Sequence, residues 1–142
     1  MDLGELARKL LLLEDLEAIK TLKYQYCAFC DDSYNADGIA GLFVEDGIWD
    51  GGDFGRCEGR QAIRKFFEAA PRGLSLAAHQ VMNPIIKVEG DRAAGEWKLF
   101  QPCTLETRNG PRAMWLAANY HDEYVRTSSG CVAVINGLRR LR

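Results

Sequence analysis

The chain has 142 residues, which is enough for one domain with a buried core and too few for two. Its 18 Lys and Arg residues and 20 Asp and Glu residues give a formal net charge of −2, whereas nucleic-acid binding demands a basic surface. No run of about 18 apolar residues predicts a membrane span, and Asp2 and Glu5 argue against a signal peptide. We therefore expect one cytoplasmic domain over residues 1–142, with neither nucleic acid nor a membrane as partner.

Five cysteines are scattered along the chain, and their odd number argues against a disulfide framework. Cys27 and Cys30 have the C-x-x-C spacing of redox and zinc motifs. They fall inside a helical pattern, however, and no second ligand pair follows. We predict that both are small apolar residues of a core. Two histidines and dispersed carboxylates also lack metal-ligand spacing, so no metal site is expected.

Apolar residues recur at intervals of three or four along the first 26 residues, as on one face of a helix. These residues are Leu3, Leu6, Leu10, Leu13, Leu16, Ile19, Leu22 and Tyr26. A polar segment over 31–37 ends this helix, and a short helix through Ile39, Leu42 and Phe43 follows. Glu45-Asp46-Gly47 is predicted to turn the chain into a strand that starts at Ile48.

A glycine-rich loop over 51–55 lacks the Lys and the glycine spacing of a phosphate-binding loop. A helix is predicted from Gly59 to Pro71. From Gly73 onward, apolar and polar residues alternate, and turn residues divide the chain into antiparallel strands at about 75–89, 92–105, 112–126 and 131–141. Helices followed by antiparallel strands indicate an α+β fold.

Imidazole chemistry is restricted to His79 and His121, because the chain has only two histidines. His79 opens a predicted strand, with Val81 and Asn83 expected on the same face. A histidine on an inward face is more often structural than catalytic. His121, near a strand end, is a weaker catalytic candidate than His79. Asp31 ends the long helix, where the helix dipole disfavours a negative charge. Its chemistry alone fits a solvated or capping residue as well as a functional one.

Five segments, in this order, are the basis for a family resemblance. They are Ile19-x-x-Leu22-x-x-x-Tyr26-x-x-x-x-Asp31; Leu42-Phe43-x-x-Asp46-x-x-x-Trp49; Gly59-Arg60-x-Ala62-Ile63-x-x-Phe66-Phe67; His79-x-x-x-Asn83-x-x-Ile86-x-Val88-x-Gly90-Asp91-x-Ala93; and Tyr120-x-Asp122-x-Tyr124-x-Arg126 before Ser129-Gly130. Together they resemble the SnoaL-like branch of the nuclear transport factor 2-like superfamily. Within it, the chain is most similar to the group containing scytalone dehydratase and bile acid 7α-dehydratase.

The resemblance implies a cone-shaped α+β barrel, in which N-terminal helices pack on a strongly curved, mostly antiparallel sheet. It also implies a cofactor-independent elimination on a small, cyclic, moderately apolar molecule. By motif position, His79 is the base, Asp31 holds it and Tyr26 assists. An Asp that accepts a hydrogen bond from one ring nitrogen makes the other nitrogen a base near neutral pH, and a tyrosine hydroxyl can stabilise developing charge.

A flat, mostly apolar pocket beside this pair is expected. Its candidate substrate-binding residues are Tyr24, Trp49, Phe54, Trp97, Leu99, Trp115 and Asn119. For Trp49 and Trp115, core packing is an equal alternative. The C-terminal Arg139, Arg140 and Arg142 are expected to form a solvated end. The arginine that other members of the family use late in the chain has no secure counterpart here.

Two other functions stay open at this point. An isomerase or polyketide cyclase could use the same pair for proton transfer without elimination. A non-catalytic ligand-binding or dimerisation module is also compatible, since a fold does not dictate a function. A homodimer is expected from the resemblance alone.

Overall fold

The computed structural model describes residues 1–141. Its helices are α1 (Leu3–Asp31), α2 (Ala36–Gly41) and α3 (Arg60–Ala69), with 3-10 turns at Gly52–Phe54 and Ala70–Arg72. Its strands are β1 (Phe43–Asp50), β2 (Arg56–Glu58), β3 (Leu74–Ala77), β4 (Gln80–Glu89), β5 (Arg92–Thr107), β6 (Gly110–Arg126) and β7 (Val132–Leu141). As predicted, two helices and a first strand precede a third helix, and antiparallel strands follow from Gly73 onward.

The long helix α1 is buried only along its second half. Asp2 caps its start by accepting a hydrogen bond from the Glu5 N–H at 2.7 Å, as an N-cap aspartate does. Ile19, Leu22 and Tyr26 are buried against the sheet. The earlier leucines of the same stripe are each more than half exposed: Leu3, Leu6, Leu10 and Leu13. The first half of the helix therefore extends beyond the core.

All seven strands join one sheet in the order β2-β1-β7-β6-β5-β3, and β4 also pairs with β5. Every pairing is antiparallel except that between β1 and β7. Register shifts interrupt the β1–β7, β4–β5 and β6–β7 pairings, and such bulges bend strands. The expected helices on a curved, mostly antiparallel sheet are confirmed.

The strand predicted over 75–89 is two strands, separated at Ala78 and His79. Both halves pair with β5, since Ala77 lies opposite Cys103 and Gln80 opposite Phe100. Further along, Asn83 has a positive φ of 53° at a bulge, and alternation is lost there. Asn83 is exposed, so the prediction that it shares an inner face with His79 is wrong.

The first strand begins at Phe43, five residues before the predicted start at Ile48. Phe43 was expected in the preceding helix, but it lies opposite Val134 of β7, and the Val134 N–H donates to the carbonyl oxygen of Leu42. Residues 45–47, predicted as a turn, lie within β1 where its register against β7 shifts. Pairing with a distant strand therefore overrides the local turn signal.

The core lies between α1 and the inner face of the sheet, where Trp97, Tyr120 and Tyr124 are almost fully buried. Cys27 and Cys30 are unpaired thiols buried in α1, as predicted. Burial raises the pKa of the Cys27 thiol to about 11, so it stays protonated near neutral pH. No helix in the part of the chain that the structure describes is long and apolar enough to cross a bilayer.

Candidate active site

A cavity of about 180 Å³ opens between α3, the end of α1 and the inner face of the sheet. Aromatic side chains form most of its wall: Tyr26, Tyr34, Trp49, Phe54, Phe66 and Phe67. His79 and Arg139 are the charged or basic groups on the same wall. The cavity is thus a mostly apolar space with a few polar groups, as small-molecule sites commonly are.

His79 reaches this cavity because the edge of the sheet breaks at that residue. The break leaves the His79 backbone N–H outside the regular strand pairing, and the side chain of Asp31 accepts from it at 2.8 Å. The same Asp31 Oδ1 atom lies 2.8 Å from His79 Nδ1. Asp31 ends α1, so the junction of helix and broken strand brings together two residues that are 48 positions apart.

The hydrogen bond to Asp31 determines which ring nitrogen of His79 carries the proton. An ionised carboxylate only accepts, so Nδ1 is the donor and Nε2 of the neutral ring keeps a lone pair. Burial lowers the pKa of His79, and the charges of Arg139 and Lys23 lower it further, while Asp31 opposes the shift. The His79 side chain is only 1% exposed. The site therefore holds a neutral imidazole near pH 7.

Tyr34 supports the His79 ring from one side. Its ring meets the imidazole edge-on at 6.0 Å and stacks on Phe67 at 5.9 Å. Tyr34 also has a φ of 55°, a conformation that is uncommon outside glycine and is often found at functional sites. Sequence reasoning missed this residue, since the backbone conformation that directs Tyr34 inward has no simple sequence signal.

Tyr26 lies on the cavity wall, as predicted, and its hydroxyl accepts a hydrogen bond from Trp49 Nε1 at 3.0 Å. Burial raises the pKa of Tyr26 well above its usual range. The hydroxyl is therefore neutral at any ordinary pH and can act as a donor. Trp49 and Phe54 line the cavity too, and Phe54, 38% exposed, lies at its rim.

Arg139 was expected at a solvated end, and the structure corrects that expectation. The residue is 5% exposed and lines the cavity. Its guanidinium carbon lies 4.9 Å from the Phe54 ring centroid and 5.7 Å from that of Trp49. Its Nη1 atom donates to Gln101 Oε1 over 3.5 Å. Arg139 sits on the inner face of β7 with Gly137, whereas the neighbouring Arg140 points outward to Asp50.

Two predicted lining residues lie in the core and not at the cavity. Trp97 is 2% exposed, and its indole N–H donates to the Tyr124 hydroxyl at 3.2 Å. Leu99 is 3% exposed and belongs to the same apolar cluster. Both face inward, as alternation requires, but they lie deeper along β5 than the cavity does.

Three further predicted lining residues lie outside the cavity. Tyr24 is half exposed on α1. Trp115 is 65% exposed on the outer face of the sheet, with its ring centroid 5.8 Å from that of Phe100. Asn119 is on that same face, where it accepts a hydrogen bond from Lys98 at 3.0 Å. These residues do not contact the space beside His79.

The remaining titratable candidates are separate from this site. His121 is exposed, with its Nδ1 atom 3.6 Å from Glu96. Lys23 and Asp122 form a buried ion pair of 2.7 Å in the core behind Tyr26. Within residues 1–141, no group of three His, Cys, Asp or Glu side chains is placed to hold a metal ion.

The chain is similar to known proteins in both sequence and fold. Residues 12–131 match the SnoaL-like domain. An NTF2-like protein of cystatin-like fold from Novosphingobium aromaticivorans is 26% identical, with 99% of this chain and 90% of that chain covered and a TM-score of 0.80. No curated protein sequence matches the chain.

Two other solved structures share the fold at lower identity. A scytalone dehydratase-like protein from Novosphingobium aromaticivorans is 21% identical, with a TM-score of 0.80 over 92% of this chain and 85% of that one. A hexachlorocyclohexane dehydrochlorinase, LinA-type3 from Novosphingobium barchaimii, is 20% identical, with a TM-score of 0.81 over 94% and 90%.

Proposed function

The chain belongs to the SnoaL-like family, and from that premise we propose that it is a cofactor-independent lyase. The reaction is a dehydratase-type elimination on a small, cyclic, moderately apolar molecule bound in the aromatic cavity. The observation that carries the proposal is the 2.8 Å contact between His79 Nδ1 and Asp31 Oδ1 at the wall of that cavity. Dehydratase-like and dehydrochlorinase neighbours in fold support this class of reaction.

His79 acts as the base in this proposal. Its Nε2 lone pair takes a proton from a ring carbon, and the electron pair of the broken C–H bond forms the new double bond while hydroxide or halide departs from the adjacent carbon. When hydroxide departs, the proton on Nε2 passes to it, so water leaves and the imidazole is neutral again. When halide departs, the proton on Nε2 is released to solvent, which also restores the neutral imidazole. Asp31 stabilises the imidazolium that exists between these steps.

Tyr26 assists the departing group. Its hydroxyl stays protonated because burial raises its pKa, so it can donate a hydrogen bond to the oxygen or halide as negative charge develops there. Trp49 orients that hydroxyl by donating to its oxygen. Tyr34 acts as a positioning residue, since its ring contacts the imidazole edge-on.

The proposal is tested with a panel of ring compounds that carry a hydroxyl or halide beside an activated C–H bond, with products identified by mass. A product lighter by water or hydrogen halide supports the lyase, whereas a product of unchanged mass indicates an isomerase or cyclase. His79→Ala should lower the rate at least about a hundredfold. His121→Ala is the matched control, because that histidine is exposed and should leave the rate unchanged. Normal turnover by His79→Ala would end the proposal.

We also propose that the protein is a homodimer that pairs through the outer face of its sheet. Phe100 and Trp115 expose two aromatic rings there, with their centroids 5.8 Å apart and their planes tilted by 40°. Trp115→Glu should convert the dimer to a monomer in sedimentation equilibrium, while Leu6→Glu on the exposed part of α1 should not. A monomeric wild-type protein would contradict this assembly.

A cytoplasmic location completes the proposal. All five cysteines are unpaired thiols, and four of them are at least partly buried in the fold, which fits a reducing compartment. Cell fractionation tests this point, since recovery of the protein outside the cytoplasm would contradict it.

A further inference from the structure

Arg139 is a buried cation that no acidic side chain neutralises. Within residues 1–141, no carboxylate oxygen lies within 4.0 Å of its guanidinium. The arginines that do form ion pairs all lie at the surface. Its one side-chain hydrogen bond is the long contact of 3.5 Å to Gln101. A buried charge without a partner is costly, so its retention requires a reason.

The unpartnered atoms around Arg139 are mainly donors. Arg139 Nε and Gln101 Nε2 are both buried and make no hydrogen bond within the part of the chain that the structure describes. Gln101 lies on β5, directly across from the break that holds His79. Two donors and one full positive charge favour a ligand that supplies negative oxygen atoms.

The cavity itself limits how large such a ligand can be. A protein cavity of about 150 Å³ is known to bind benzene, so the 180 Å³ found here suits one six-membered ring with a small substituent. Trp49, Phe66 and Phe67 offer aromatic surfaces, with Trp49 and Phe66 ring centroids 4.7 Å apart. The cavity thus combines a ring-shaped apolar space with a cationic group.

We propose that the natural substrate is a single-ring molecule that carries a carboxylate, and that Arg139 binds this carboxylate while the aromatic wall holds the ring. The inference names the substrate class of the proposed elimination site and so rests on that function. Arg139 is then a specificity-determining residue. The charge on the substrate compensates the buried guanidinium, so a neutral ring of the same shape should bind more weakly.

The probes are 4-fluorobenzoate and 4-fluorobenzamide, a charged and a neutral ring of nearly equal size, observed by fluorine NMR with the full chain at pH 7. Probe concentrations up to about 10 mM are sufficient for ten-atom ligands of ordinary efficiency. We expect wild-type protein to bind the benzoate at least about tenfold more tightly than the benzamide. Arg139→Gln should reduce that preference to less than about twofold, by weakening benzoate binding and leaving benzamide binding intact, which also shows that the cavity still folds.

Two variants separate this inference from its alternatives. Arg140→Gln changes the neighbouring surface arginine and should keep the full preference. His121→Gln, at an exposed histidine away from the cavity, should also keep it. Binding is measured without turnover, so failure of the catalytic proposal would not change this result. Equal affinity of wild-type protein for both probes, including no binding of either, would overturn the inference, as would a preference that survives Arg139→Gln.

Discussion

The ion pair between Lys23 and Asp122 is the most strongly buried charge pair of the core, and Lys23→Met tests its contribution to stability. The Lys23 Nζ atom is 2.7 Å from Asp122 Oδ2, and both side chains are 4% exposed. The same Nζ atom lies 3.2 Å from the centroid of the Tyr120 ring, and the Tyr124 hydroxyl donates to Asp122 at 3.0 Å. Removing the ammonium therefore leaves a buried carboxylate with one neutral donor.

The expected loss is large. Breaking a buried pair from one side costs about 3–5 kcal/mol, compared with a total unfolding free energy of about 5–15 kcal/mol for a domain. For a chain of this length, about 1 kcal/mol corresponds to roughly 3 °C in Tm, so Lys23→Met should lower Tm by roughly 10–15 °C. The cost comes from stranding Asp122, because the ion pair itself contributes little net stability.

The double variant Lys23→Met/Asp122→Leu separates these two effects. With both charges gone, stability should return to within about 1–2 kcal/mol of wild type, measured as the urea unfolding free energy in a double-mutant cycle. Lys20→Met, which breaks an exposed pair with Glu17, is the matched control and should barely change the midpoint. A single variant that costs less than about 1 kcal/mol, or a double variant as unstable as the sum of both singles, would refute the reasoning.

Three further predictions concern other groups. Burial lowers the pKa of His79, so the stability linked to its neutral ring is complete above pH 6.5 and is lost as the pH falls below that value. The difference between the urea unfolding midpoints at pH 7.5 and pH 5.5 should therefore be smaller in His79→Gln than in wild type. Arg139→Met should raise the unfolding free energy by about 1 kcal/mol or more, since it removes an unpaired buried charge; a loss in chemical denaturation would contradict this. Gly95→Ala should cost about 1–3 kcal/mol, because its Cβ would lie 3.1 Å from both Trp97 Nε1 and the Tyr124 ring; an unchanged Tm would contradict it.

Hydrophobic periodicity predicted the elements more reliably than it predicted the site. The apolar stripe that includes Ile19 and Leu22 predicted α1 and the face that it buries, because a helix repeats every 3.6 residues whatever it packs on. The exposure of the first half of α1 could not be predicted from this stripe, since burial depends on where the sheet ends. The family resemblance brought Asp31 and His79 together, which no local pattern could do.

Alternation along strands predicted faces only up to the next bulge. On β6, Tyr120, Asp122 and Tyr124 share the inner face, so the same count places Trp115 and Asn119 outward, and that signal was available in the sequence. On β7, a register shift between Val134 and Asn136 resets the count, which is why the inward direction of Arg139 was not predictable.

Periodicity also does not show whether an inward-facing residue lies in the core or at the cavity, because that depends on its position along the strand. Trp97 and Leu99 face inward, yet they pack deep in the core, while the cavity forms further along the sheet beside the broken edge at His79. At the break, the His79 N–H donates to Asp31, a contact between segments 48 residues apart that no local pattern predicts.

The protonation of His79 can be measured directly by nitrogen NMR of protein labelled at its two histidines, with His121→Asn to assign the signals. If Asp31 holds the ring as a neutral base, the spectrum at pH 7 will show a proton on Nδ1 and a bare Nε2, and Asp31→Ala will mix the two tautomers. A proton on Nε2 of wild-type His79, or on both nitrogens, would contradict the role of this residue as the base.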